Sequence, residues 1–268
     1  MDQTYRQQGQ ETYTYQTEHN HSSWSDGSSS PEEMCRAAKE AGLTVFGLSD
    51  HWVEPPVEGL DSEEWSMDLT KLDAYVELLQ KLKRELEDDS FSLKIGLEVD
   101  FFFENYKEVL KRLTSYPLDY LIGSVHYAGR FPVDHSRLDW VDLTQDEIAQ
   151  ICEEYYRKLE GAAACKEFTF IGHLDLPKKF GFVDNEKYFP HAVRVLDILS
   201  GSGGAIELNT AGAFKECCEV YPSRSILHEA RMRRIPVIVN ADAHHKDHVK
   251  RYFNESKELL RSVSYDLP

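Results

Sequence analysis

Short apolar runs in this chain keep ending on the same few residue types. TVFGLS (44–49) leads into Asp50 and His51, LKIGLE (93–98) ends on Glu98, DYLIGSV (119–125) precedes His126, and FTFIG (168–172) precedes His173. PVIVNAD (236–242) ends on Asp242 with His244 two positions later, YTYQTE (13–18) precedes His19, and AIELN (205–209) ends on Asn209. Runs of this length and composition fit strands buried on both faces of a parallel sheet. Between them lie helical signals. Ser30, Pro31 and Glu33 make a capping box with proline at the first helical position, and Gly42 follows as a stop. The segment 70–86 places Leu72, Tyr75, Val76, Leu79, Leu82 and Leu86 on one face. Thr144 and Glu147 open a helix to about Ala163, and further helices are expected at 104–113, 187–199 and 223–233.

Alternation of this kind predicts βαβ units around a parallel sheet in an α/β fold. Six of the seven strands deliver His, Asp or Glu at the C-terminal end. Barrel active sites gather on that face, whereas an open sheet would concentrate such residues at a switch point. The expectation is one barrel domain over residues 1–268. The irregular stretches 53–68 and 129–143 both follow strand ends and are candidate lids or pocket walls. Glu54, Glu58 and Asp61 in the first of them are assigned no role, since an acid-rich loop is usually solvated.

Charge and cysteine usage narrow the function classes. A formal net charge of -17 argues against a nucleic-acid partner, which calls for a basic footprint. A small anionic substrate still fits if bound cations make the site locally positive. The five cysteines, Cys35, Cys152, Cys165, Cys217 and Cys218, form no C-x-x-C pair and read as reduced thiols. No apolar run reaches the roughly 18 to 20 residues that span a bilayer, and MDQTYRQQGQE lacks a signal-peptide core. The expected compartment is the cytoplasm.

The candidate ligands collected from the strand ends are His19, His21, Asp26, His51, Glu98, His126, His173, Asp242 and His244. Six imidazoles and three carboxylates at one mouth suit zinc, iron or manganese, and nine donors are too many for a single ion. Two or three divalent ions are expected. His19-x-His21 places alternate residues of an extended strand on one side, so both rings can reach one ion. Asp242-x-His244 repeats the device. His135, His191, His228, His245 and His248 read as capped or solvated residues.

The motifs HNHSSWSDG, LSDH, GLEVDF, IGSVH, IGHLD and NADAH, in this order, resemble the PHP (polymerase and histidinol phosphatase) superfamily over nearly the whole chain. YPLDYLIGSVH, FIGHLDLPKKFGF and IELNTAG, followed by Lys215 and YPS, are similar to its histidinol-phosphatase branch. The resemblance implies a distorted (β/α)7 TIM-like barrel with a trinuclear site. By analogy His19, His21, Glu98 and Asp242 hold one ion, Glu98 with His126 and His173 a second, and Asp26 with His51 and His244 a third. Two positions depart from the branch. Asp26 stands where many histidinol phosphatases have a histidine, and Phe214 stands where an arginine often precedes the lysine.

The implied activity is metal-dependent hydrolysis of a small phosphomonoester, L-histidinol phosphate first, through a metal-bound hydroxide attacking phosphorus in line with the leaving alcohol. Lys178, Lys179 and Lys215 are candidate phosphate contacts as point charges. Asp100 and Asp175 each follow a ligand by two positions, and could orient it or protonate the leaving oxygen. The rival readings are a PHP phosphoesterase acting on another phosphoester or on nucleic acid, a metal-holding module without turnover, and an amidohydrolase-type barrel. The last lacks an obvious strand-end lysine for carboxylation.

Overall fold

The computed structural model describes residues 15–57, 60, 62 and 64–265. Residues Tyr13 and Thr14 of the expected first strand, and Glu58 and Asp61 of the first long loop, lie outside the described residues. The barrel strands are β1 (Gln16–Thr17), β2 (Val45–Leu48), β3 (Ser92–Asp100), β4 (Tyr120–Ser124), β5 (Phe170–Ile171), β6 (Ala205–Asn209) and β7 (Val237–Asn240). They are hydrogen-bonded in that order, and every neighbouring pair is parallel. After a break at Ser49 and Asp50, His51–Trp52 continues the line of β2 and pairs with β3, setting His51 opposite Glu98.

Beyond β7 the chain closes the ring. Asp242 N–H donates to His19 O and His21 N–H to Ala243 O, both at 2.9 Å, around a parallel bridge between Asn20 and Ala243. Below that level side chains replace the ladder: Glu18 N–H donates to Asn240 Oδ1 and Ala241 N–H to Thr17 Oγ1. The result is a distorted seven-stranded barrel, closed at its C-terminal mouth.

The helices are α1 (Pro31–Glu40), α2 (Leu72–Leu86), α3 (Tyr106–Leu113), α4 (Gln145–Ala163), α5 (Asn185–Ser202), α6 (Arg224–Met232) and α7 (Phe253–Ser262). Both expected capping boxes form, on α1 and α4. The six apolar residues expected on one face of α2 are its six buried residues. Helix α7 carries no cap signal that the sequence reading used, and it is an addition to the expected set. The stretch 129–143 is also more ordered than expected: Tyr127–Ala128 and Phe131–Pro132 pair as a small antiparallel hairpin, and Arg137–Asp139 forms a 3-10 turn capped by Ser136.

Below the mouth, Tyr120, Ile122, Phe170, Ala205 and Ile238 form a buried apolar cluster. Tyr120 fills the lower bore, its hydroxyl donating to Glu18 O, and a Cβ on Gly96 would collide with its ring. Among the described residues no helix is long and apolar enough to cross a membrane.

Candidate metal centre

Glu98 sits at the centre of the mouth, 1% exposed. It lies within β3 rather than at its end, and the strand runs on to Asp100. Five imidazoles from four other segments converge on its carboxylate. Oε2 lies 2.8 Å from His51 Nδ1, 3.2 Å from His19 Nε2 and 3.5 Å from His21 Nε2. Oε1 lies 2.8 Å from His173 Nε2 and 3.5 Å from a fifth ring, His126 Nε2. Asp242 Oδ1 approaches His21 Nε2 at 3.2 Å and His19 Nε2 at 3.7 Å. Asp242 adopts φ 48°, an uncommon conformation for a residue with a Cβ and one that recurs where function constrains the backbone.

Asp26 reaches the same cluster from a loop. Its Oδ2 lies 3.1 Å from His244 Nε2, and its Oδ1 lies 3.6 Å from His51 Nε2 and 4.0 Å from His21 Nδ1. Buried Asp50 makes this loop fold back: its carboxylate accepts from the peptide N–H and hydroxyl of both Ser22 and Ser25. Gly27 completes the turn, since a Cβ there would sit 2.7 Å from His21 O.

All nine expected donors thus meet at one mouth, in overlapping groups. Donor atoms of His21, Asp26, His51 and His244 lie within 4.8 Å of one another, as do those of His19, His21 and Glu98, and those of His51, Glu98 and His126. The grouping differs from the expected partition in two places. His21 also reaches the Asp26 group, and His51 also reaches Glu98 beside His126.

The electrostatics fit cations. Burial disfavours charge on Glu98, yet the rings of His19, His51 and His126 hold its carboxyl well below the ordinary range. Asp242 and Asp26 are depressed in the same way, against burial, by surrounding histidines. Burial and the neighbouring His51 and His244 lower His21 to about 4, so its lone pair stays available. His126 and His244 rise to about 9, the nearby carboxylates of Glu98 and of Asp26 respectively outweighing burial. Several buried polar atoms have no hydrogen-bond partner: His19 Nε2, both nitrogens of His21, His51 Nδ1 and Glu98 Oε2. Unpartnered polar atoms are rare in a protein interior, and here they face one another. The donor set therefore fits several divalent ions.

Residues behind the donors fix them. Glu207, fully buried, accepts from His19 Nδ1 at 2.9 Å and from the His173 peptide N–H at 2.7 Å. A carboxylate can only accept, so Nδ1 of His19 carries the proton and Nε2 is turned to the centre. Asn209 and Asn240 donate to the same carboxylate, and Asn209 also donates to Asp242 Oδ2. Glu207 was not anticipated; its only mark in the sequence is a charge inside the apolar run AIELN. Asp100 accepts from the His126 peptide N–H at 2.7 Å and lies 3.5 Å from its ring, so of its two expected roles the geometry matches orientation.

Asp175 and Lys178 go elsewhere. Asp175 Oδ2 accepts from Ser223 N–H, Asn185 Nδ2 and Lys178 Nζ, each at 2.9 Å. The Lys178 ammonium also donates to Glu219 and Val220 O. Neither residue lines the cavity above the donors. The expectations of acid catalysis by Asp175 and phosphate contact by Lys178 are corrected: these two groups neutralise each other in the protein interior.

That cavity measures about 900 Å³. Lys179 and Lys215 line it, as expected, together with Arg251, which was not anticipated. Lys179 is anchored by Asp134, through its carbonyl at 2.6 Å and its carboxylate at 3.2 Å. A second wall carries Leu60, Glu64, Trp65 and Tyr127. The Trp65 ring stands edge-on to His51 and His126, 4.9 and 5.3 Å away. Glu54 is drawn off by Arg112 and Trp52 Nε1.

The PHP domain family profile matches residues 18–211. A Deinococcus radiodurans protein named "Probable histidinol-phosphatase" is 34% identical over 238 residues, covering 87% of this chain and 87% of that one. The fold is similar to a Listeria monocytogenes crystal structure, with TM-score 0.80, 22% identity, and coverage of 90% of this chain and 99% of that one. It is also similar to histidinol phosphate phosphatase from Lactococcus lactis complexed with Zn, L-histidinol and phosphate, with TM-score 0.77, 19% identity, and coverage of 94% and 95%. With nine candidate metal donors gathered at its mouth and this match over most of its length, the chain belongs to the PHP domain family.

Proposed function

We propose that this chain is a metal-dependent phosphomonoesterase that hydrolyses L-histidinol phosphate to L-histidinol and inorganic phosphate. The observation that carries the reading is the juxtaposition, in one cavity, of a crowded donor cluster around Glu98 with a wall of cations. The named activity of the Deinococcus relative, covered over 87% of its length, supports the choice of substrate.

His19, His21, Glu98 and Asp242 would hold one ion, Glu98 with His126, His173 and His51 a second, and Asp26 with His51, His244 and His21 a third. Ions held there would supply an activated water and would offset charge on the phosphoryl oxygens. The protein's own groups do the positioning. Glu207 fixes the tautomer and direction of the His19 ring, and Asp100 holds the His126 backbone in place. Lys179 and Lys215 meet the phosphate as point charges, Lys179 held in place by Asp134. Trp65, Tyr127 and Leu60 shield the cavity and give the leaving alcohol a flat apolar contact, with the Glu64 carboxylate beside it for a cationic group. In the reaction a water oxygen bonds to phosphorus, the ester phosphorus–oxygen bond breaks, and L-histidinol leaves carrying the proton.

The test is phosphate release from L-histidinol phosphate by metal-loaded protein beside a panel of other phosphomonoesters. The expected preference in kcat/KM is about a hundredfold or more, on the order of 2.7 kcal/mol of transition-state discrimination. Equal turnover across the panel would overturn the substrate assignment while leaving the phosphoesterase chemistry standing.

A further inference from the structure

The wall of the cavity holds a cation that neither the donor cluster nor the packing requires. Arg251 lies between the 3-10 turn Lys246–His248 and α7, and its side chain lines the cavity together with Lys179, Lys215 and Asp242. No carboxylate among the described residues forms an ion pair with it, and its Nε is buried without a hydrogen-bond partner. Its guanidinium carbon sits 4.6 Å from the centroid of the Phe214 ring. Phe214 is itself anomalous, a phenyl ring left 54% exposed at the cavity's edge. Tyr252 meets that ring edge-on at 5.8 Å and adopts φ 63°, a costly conformation for a bulky residue. The Arg251 side chain thus runs from beside this turn across the Phe214 ring to the cavity.

Charge points to the occupant. Loss of solvation in the cavity and the like charges of Lys179 and Arg251 lower the Lys215 ammonium from its ordinary value. Crowding cations in this way, on a chain of net charge -17 with carboxylates to spare, leaves a place for an anion. A guanidinium offers paired N–H donors that match two phosphoryl oxygens, a geometry an ammonium lacks.

We propose that Arg251 is a phosphate-binding residue of this site and that Phe214 is its positioning residue, holding the guanidinium flat by a cation–π contact. Arginine is thereby supplied from the segment after β7, while position 214, next to Lys215, serves as the platform. The proposal rests on the phosphoesterase reading of the cavity.

The test is calorimetric titration of inorganic phosphate into zinc-loaded protein, with metal content measured for each variant. Arg251→Ala should weaken phosphate binding by about tenfold or more, the range for a charge-assisted hydrogen bond. L-histidinol, which has no phosphoryl group, should bind the variant and the wild type equally. Phe214→Ala should weaken phosphate by about two- to fivefold, and should change nothing further when Arg251 is already Ala. Wild-type phosphate affinity in Arg251→Ala at unchanged metal content overturns the proposal, as does a wild-type protein that binds no phosphate. A loss on Phe214→Ala that persists in the double variant overturns the platform role. If the wild type leaves L-histidinol phosphate intact, the substrate assignment falls, yet the phosphate titration still decides the role of Arg251.

Discussion

The floor and the rim of the mouth hold the same kinds of side chain under different constraint. On the floor, His19, His21 and Glu98 are shut off from solvent, buried Glu207 holds the His19 ring from behind, and buried Asp100 holds the His126 backbone. On the rim, Asp26 and His244 have side chains 32% and 39% exposed. What orders Asp26 is the loop beneath it, tied by Asp50, and the second carboxylate near the His244 ring, Asp242, stands off at 3.6 Å. Water competes with rim contacts and leaves the floor alone, so the floor should bind its ions tightly and the rim should exchange its ion. A single multi-ion centre can in this way combine a permanent part with a replaceable one.

The largest predicted effect comes from the floor. Glu98→Gln removes the carboxylate shared by the groups around it, and turnover should fall by about a thousandfold or more, the several kcal/mol that bound ions contribute to the transition state. Metal content measured on the same sample should fall with it; retention of both would remove Glu98 from the centre. Next comes the support behind the floor. Glu207→Gln leaves shape intact but weakens the grip on His19 and His173, and metal affinity or activity should drop about 10- to 100-fold. An unchanged value in competition with a chelator would reduce Glu207 to packing.

Rim changes should cost less. Asp26→Asn should release one ion per chain while the remainder stay bound, with turnover reduced about tenfold or less, read by elemental analysis beside kinetics. Loss of every ion in that variant would mean that floor and rim form one cooperative unit. The smallest effect on turnover belongs to Lys178→Met. It strips Asp175 of its buried partner, an omission that costs about 3 kcal/mol, or roughly 6 to 12 °C in Tm for a chain of this size, while kcat of the folded protein stays near wild type. A kcat loss without a Tm shift would return Lys178 to the active site.

The same contrast explains which parts could be read from the sequence. The barrel was legible because each apolar run must sit in the sheet and each capped amphipathic stretch must cover it, and the donors at the strand ends follow from that order. The grouping of donors was less so, because His21 and His51 lie between neighbouring groups and only the closed ring shows which atoms approach. Glu207 escaped because a charged residue within an apolar strand looks like a solvated one until the barrel buries it. Lys178 and Lys179 are adjacent on a 3-10 turn, and nothing in their order says that Lys178 points inward to Asp175 while Lys179 faces the cavity. Arg251 and α7 were missed together, since the left-handed turn at Tyr252 that starts the helix has no cap signature.

The most direct measurement follows metal per chain and phosphate release from L-histidinol phosphate together, during stepwise chelation and re-addition of zinc. A rate that falls in two stages, a shallow loss with the first ion and complete loss with the rest, and that returns on re-addition, is the predicted result. Undiminished hydrolysis by protein stripped of its ions would contradict a metal-dependent phosphatase built around Glu98.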